Sequence, residues 1–334
     1  MERDEIIRLL GTTDADEVRA LLKAADQERR GSVGDEVYLR GIIEFSNHCG
    51  RNCLYCGLRR GNKALPRYRV PDDEIIELAG RVRDLGIATV VLQAGEDPAH
   101  TTEYICRLIS RIKGATGLAI TLSIGERSFD DYRAFKDSGA DRYLLKHETA
   151  NPELYRRLHP DSDQRNRIQC LTWLKELGYE TGAGNMVGLP GQTLATLADD
   201  ILLMRELDID MIGIGPFIAH PDTPLKNTPT GDLDLVLKVI AVTRLVTGNT
   251  NIPATTALAT LDPEIRLKAL ATGANVVMPD FTPAHYKRHY EIYPGRSRVS
   301  SDIGQVLAIL EKDLAGINRC IGHGPGGRRN RSKG

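Results

Sequence analysis

The chain has 334 residues, with 44 Lys and Arg against 45 Asp and Glu and a formal net charge of −1. That balance gives no electrostatic reason to expect nucleic acid or an anionic membrane as partner, and 41% hydrophobic with 27% charged residues is the composition of an ordinary soluble protein. Charges run through the opening MERDEIIRLL, unlike a signal peptide, and no apolar run reaches bilayer-spanning length, so a cytoplasmic protein is expected.

Residues 1–35 form a polar helical extension, with Ile6, Leu9 and Leu10 and then Val18, Leu21 and Leu22 at helical spacing. After Gly34 the texture changes to short β-branched runs alternating with amphipathic helices. The predicted strands are 37–45, 88–93, 118–123, 142–147, 181–187, 211–217, 252–258 and 274–279. Asp72 is a plausible N-cap for a helix whose apolar face is Ile75, Leu78, Ala79, Val82 and Leu85, with Gly86 as the stop. Another helix begins at Thr193 and turns Leu194, Leu197, Ile201 and Met204 inward.

Eight strand–helix units in about 260 residues have the size and rhythm of a complete (β/α)8 TIM barrel, assigned to 36–300. The remaining 301–334 read as a C-terminal helix and a basic flexible tail, in which Arg328, Arg329, Arg331 and Lys333 are solvated. A doubly wound sheet is the rival, but no G-x-G-x-x-G follows the first strand. The strand ends carry SNHC, QAGED, SIGE, KHET and PFIAHPDTP, and a barrel enzyme builds its site from such C-terminal strand ends.

The loop after the first strand reads Cys49-Gly-Arg-Asn-Cys53-Leu-Tyr-Cys56. Closely spaced soft thiolates wrap an iron–sulfur cluster or zinc. Zinc needs a fourth ligand, for which His48 is the local choice; Cys106 and Cys170 sit in helical runs as small buried hydrophobes, and Cys320 belongs to the tail. Three thiolates on a four-iron cluster leave one iron open for chemistry.

With Tyr55 in the aromatic slot before the last cysteine, the motif resembles that of the radical S-adenosylmethionine (SAM) superfamily. The resemblance implies a [4Fe–4S] cluster on Cys49, Cys53 and Cys56, with SAM chelated to the open iron and cleaved to a 5′-deoxyadenosyl radical. It also implies SAM contacts at Tyr55, Gln93, Gly95, Glu96, Glu148, Arg167 and Met211, with the glycines of GNMVGLPG close to the adenosine. Without it, Glu148 reads as a rim salt bridge and Arg167 as a solvated helix residue.

IIEFSNHCGRNCLYCGLRRGNK, RYLLKHETANP, GYETGAGNMVGLPGQT and GANVVMPDFTP narrow the resemblance to the HydE family of [FeFe]-hydrogenase maturases, next to methylornithine synthase (PylB) and biotin synthase. It implies a cysteine-ligated iron substrate carrying carbonyl and cyanide, in a pocket of Thr121, Arg142, Lys146, Thr255, Thr256, Tyr290 and Tyr293. Implied partners are the maturases HydG and HydF and a ferredoxin or flavodoxin reductant, under anaerobic conditions. The family often has Arg at the position of Lys146, and the change loses the planar bidentate fork. No cysteine occurs between Met278 and Asn318, so no accessory cluster is expected there. The competing readings are a PylB-like mutase acting on an amino acid, and a non-enzymatic iron–sulfur carrier.

Overall fold

A computed structural model describes residues 1–296 and 302–329. Two helices, α1 (Arg3–Gly11) and α2 (Ala15–Val33), precede the first strand. The side chain of Asp14 caps α2 by accepting from the backbone of Asp16 and Glu17. Then come β1 (Glu36–Leu39), β2 (Gly41–Ser46), α3 (Asp72–Asp84), β3 (Thr89–Ala94), α4 (Thr102–Thr116), β4 (Ala119–Ser123), α5 (Phe129–Asp137) and β5 (Arg142–Leu144). The second half runs α6 (Pro152–Leu158), α7 (Gln164–Glu176), β6 (Glu180–Val187), α8 (Leu194–Glu206), β7 (Met211–Pro216), α9 (Leu233–Thr247), α10 (Thr256–Leu261), α11 (Pro263–Leu270), β8 (Val276–Val277), α12 (Ala284–Lys287), α13 (Ile303–Gly316) and β9 (Cys320–Ile321).

Strands β2 to β7 form one parallel six-stranded sheet in chain order. Parallel strands covered by helices are buried on both faces, so they read as continuous apolar runs. Strand β3 shows this: Thr89, Val90, Val91 and Leu92 are all buried. Strand β1 leads into β2 through Arg40 and pairs with β8 on one side and β9 on the other. Isolated parallel bridges join Met211 to Asn251, Pro253 to Val276 and Ile42 to Asp280.

Three expectations shift. Asp72 is the first residue of α3 and Pro71 holds the N-cap position, because proline needs no hydrogen-bond partner for a backbone N–H. The predicted strand 252–258 reduces to the bridges at Asn251 and Pro253; Pro253 donates nothing to a ladder, and Thr255 is already the N-cap of α10. The strand predicted over 142–147 pairs regularly only to Leu144, and the backbone of Glu148 turns to a left-handed φ of 66°.

The apolar α9 is buried almost all round because α1, α2, α8, α11 and β7 surround it. The N-terminal helices thus pack on α8 and α9, and Arg3 pairs with Asp199 of α8 at 2.6 Å.

Of the basic chain end, the described part is ion-paired: Arg328 is half-buried, while Arg329 stays exposed. Arg328 pairs with Asp208 at 2.7 Å and Asp210 at 3.1 Å and donates to Asn249, while Arg329 reaches Glu36 at 2.9 Å. These carboxylates stand near the N-terminal ends of β1 and β7, and the chain end lies against them with its charges paired. Arg331 and Lys333, and the expected boundary between 300 and 301, lie outside the described residues.

Candidate active site

The C-terminal ends of the sheet strands open into a cavity of about 360 Å³. Cys49, Cys53 and Cys56 line it from the loop after β2. The Gly50 N–H donates to the Glu96 carbonyl at 2.8 Å, which holds the Cys49 turn against the loop after β3. Gly95 makes this approach feasible: a Cβ there would lie 2.3 Å from the His48 carbonyl oxygen. Burial first, then the neighbouring thiols, pushes Cys53 well up; burial and Cys49 push Cys56 up to about 12. Three thiolates in this setting therefore call for a cation to hold them.

Tyr55, between two of these cysteines, donates its hydroxyl to Nε2 of His159 at 2.9 Å. Burial pushes His159 down to about 4, so the ring is neutral at pH 7, with Nδ1–H donating to the Tyr155 carbonyl at 3.0 Å. This anchors the loop against α6, where the Leu54 N–H also donates to the Leu158 carbonyl.

Glu96 and Arg167 meet in a four-membered ion network with two residues that the sequence reading did not assign. Arg167 Nε lies 2.6 Å from Glu126 Oε1 and its Nη2 3.7 Å from Glu96 Oε1. Arg51 binds Glu96 through Nε and Glu126 through Nη2 at 2.8 Å. Arg167 is thus a buried, paired side chain and no solvated helix residue. Burial alone lowers an arginine's pKa, but Tyr155, Glu126 and Glu96 more than offset that and hold Arg167 well up. Glu126 lies below its usual value, since Arg167 and Arg51 outweigh its burial. Only the strand-end tetrapeptide SIGE hinted at Glu126.

Glu148 is no rim salt bridge. Its N–H donates to the Gly184 carbonyl at 2.9 Å, while its Oε2 is buried without a hydrogen-bond partner. Burial raises its pKa, and Lys146 and Arg167 pull it back. Thr121 Oγ1 and Thr255 Oγ1 are likewise buried and unpartnered. Orphaned polar atoms lining one cavity are sites a bound ligand satisfies.

The far wall holds Tyr290, whose hydroxyl receives Gln93 Nε2 at 3.3 Å, and Tyr293, whose hydroxyl receives Arg296 Nη1 at 3.1 Å. Arg296 is locked by the fully buried Glu44 and its guanidinium lies 5.8 Å from both tyrosine rings. Lys146, Gly95, Thr256 and Met211 also line the cavity.

Arg142 does not. It stands at the opposite end of β5, paired with Glu180 and donating to Thr89 Oγ1 at 3.1 Å and the Pro325 carbonyl at 3.0 Å. Arg142 and Lys146 are four residues apart, about 13 Å along a strand, so both face inward at different depths. Cys170 is buried and Cys106 packs on the core, as expected for small hydrophobes.

Residues 43–204 match the Radical SAM superfamily. The chain is 50% identical over 327 residues to the [FeFe] hydrogenase maturase subunit HydE of Thermotoga maritima, covering 98% of this chain and 94% of that protein. The chain belongs to the HydE family of radical SAM enzymes. It is also 28% identical over 276 residues to 3-methylornithine synthase of Methanosarcina acetivorans, covering 82% of this chain and 78% of that protein. The crystal structure of methylornithine synthase (PylB) superposes with a TM-score of 0.82 at 26% identity, covering 96% and 94% of the two chains.

Radical SAM enzymes use a [4Fe–4S] cluster and SAM, and the residues present fit both. Three free thiols share the cavity, and Glu148 offers an unused acceptor for a hydroxyl. No group of three His, Cys, Asp or Glu side chains suited to a lone metal ion occurs among the described residues, so the fit rests on the donor chemistry of the shared cavity. No described helix is long and apolar enough to cross a membrane.

Proposed function

We propose that this chain is a HydE-type maturase that acts on a small anionic iron complex, cysteine-ligated and carrying carbonyl and cyanide, in [FeFe]-hydrogenase assembly. The observation that carries this reading is the 50% identity to HydE across 98% of the chain. The bridges at Asn251, Pro253 and Asp280 support completion of the six-stranded sheet into a full (β/α)8 barrel around the cavity.

When bound, the cluster supplies the single electron that breaks the sulfonium C–S bond of SAM and yields the adenosyl radical. This chain's residues bind and orient. Cys49, Cys53 and Cys56 hold iron. Tyr55 braces their loop. Glu96 and Arg167 face the amino and carboxylate groups of SAM, a carboxylate for a cation and a guanidinium fork for an anion. Glu148 accepts from the ribose hydroxyls, and Gln93, Gly95 and Met211 complete the SAM wall. Lys146, Thr121, Thr255 and Thr256 offer a cation and hydroxyl donors to an anionic substrate; Tyr290 and Tyr293, held by Gln93 and Arg296, close the far side. Arg142, outside the cavity, takes no part. Cytoplasmic action alongside HydG, HydF and a ferredoxin- or flavodoxin-type reductant completes the reading.

The likeness to PylB, at a TM-score of 0.82, favours a second reading as a mutase on an amino-acid substrate. A carrier is a weaker account, because it has no use for Arg167 or Glu148 facing the cavity. Anaerobic reconstitution tests the enzyme reading. Four irons per chain and dithionite-dependent deoxyadenosine release, both lost in Cys53→Ala, support it; iron binding without SAM cleavage sinks it.

A further inference from the structure

The segment from Phe45 to Pro71, which carries the three thiols, contains six Lys and Arg and no Asp or Glu, although the whole chain is nearly neutral. Several of these cations serve the interior: Arg51 pairs with Glu96 and Glu126, Arg69 with Asp97, and Arg67 donates to the carbonyls of Asn47 and Leu58. Arg60 is exposed beside Asp161, and Lys63 is exposed with no ion pair among the described residues.

Two further segments fold onto this loop. The Leu158 carbonyl of α6 receives the Leu54 N–H, and the Leu225 N–H donates to the Leu54 carbonyl at 3.3 Å. Beneath them Leu154, Leu158, Leu189 and Phe217 form a small apolar core of their own, against which Tyr55 and Leu225 pack. That core fixes α6 and the loop after β7 as borders of the cysteine loop. They add Arg156, Arg157 and Lys226, all exposed and without ion pairs among the described residues, against Glu153 and Asp222.

We infer that this basic rim is the docking surface for an acidic one-electron carrier protein that reduces the enzyme. The inference rests on the radical SAM reading of the thiols and commits to the partner's charge and to its place on the fold. One electron leaves the reduced carrier and ends on SAM, whose C5′–S bond breaks to give methionine and the adenosyl radical. An unpaired cationic rim around the point of electron delivery steers an acidic partner there and raises its association rate without adding to the fold's stability.

The test compares two reductants on reconstituted wild-type protein and a Lys63→Glu, Arg156→Glu, Lys226→Glu triple variant, following deoxyadenosine release. With an acidic reduced flavodoxin at low salt, the variant's apparent second-order rate should fall about tenfold or more, and the two proteins should converge as salt rises. With dithionite both should release deoxyadenosine alike, which shows the variant folded and cluster-loaded. Equal flavodoxin-driven rates at low salt would overturn the docking surface. So would a loss of equal size with both reductants. Absence of deoxyadenosine from wild type with dithionite would instead condemn the underlying enzyme reading, a separate failure.

Discussion

The Tyr55 hydroxyl stands 2.9 Å from Nε2 of His159 and donates to it while the imidazole is neutral; a proton on that nitrogen ends the donation. His159 is one of three buried histidines whose pKa burial lowers: His159 and His100 to about 4, His147 to about 3.

Acid therefore attacks the fold through its histidines. Unfolded, each takes a proton near its ordinary value of about 6.5; folded, only near 3 or 4. Between those values the unfolded state binds more protons, so stability is full above about 6.5 and falls as the pH drops towards 4, by up to about 3 kcal/mol per histidine. Denaturant titrations between pH 7 and 4 should show the decline, with a shallower slope in His159→Gln. A flat profile contradicts the neutral-imidazole assignment.

Removing Glu126 should damage SAM binding without touching SAM. Arg167 would lose its 2.6 Å partner and Arg51 one of its two, leaving buried charge unpaired. The Glu126→Ala variant is expected to need about tenfold or more SAM for half-maximal deoxyadenosine release, consistent with the 3–5 kcal/mol scale of a broken buried pair spread over a network. An unchanged SAM dependence would mean that Arg167 orients itself unaided.

Gly125 lies beneath Glu96 with φ 81°, and a Cβ there would come 1.8 Å from Glu96 Cγ. Gly125→Ala combines left-handed strain with a clash into the Glu96 carboxylate, which we propose faces SAM. Thermal unfolding should show a loss of about 1–3 kcal/mol, and the SAM requirement should rise in parallel. A variant that loses stability yet binds SAM normally would free Glu96 from the role given to it.

Arg142 should matter for stability alone. It joins Glu180, Thr89 and the Pro325 carbonyl at the N-terminal end of β5, outside the cavity that the thiols line. Arg142→Met is expected to cost about 3–5 kcal/mol, visible as a lower denaturation midpoint, with its substrate response unchanged. A selective rise in KM for the iron complex would return it to the pocket.

The cysteine loop, the Thr193 helix start and the alternation of strands with helices were all readable in sequence, because each is a local pattern. Thr193 does cap α8, in a reciprocal capping box with Thr196. Depth along a strand was not readable. Period-two alternation puts Arg142 and Lys146 on the same inward face, but says nothing of which end of the sheet each meets. Glu126 was hidden for another reason: its partners Arg51 and Arg167 are 75 and 41 residues away, brought together only by the fold. Pro325 and Arg328 were read as tail because their partners, Arg142 in β5 and Asp210 just before β7, lie far earlier in the chain.

The most direct test of the maturase reading is deoxyadenosine yield from anaerobically reconstituted protein with SAM and dithionite, with and without a synthetic iron–cysteine–dicarbonyl–cyanide complex. Strong stimulation by the complex, abolished in Cys53→Ala, is the predicted result. Slow SAM cleavage that the complex leaves unchanged would contradict it, and an amino-acid substrate would take the complex's place.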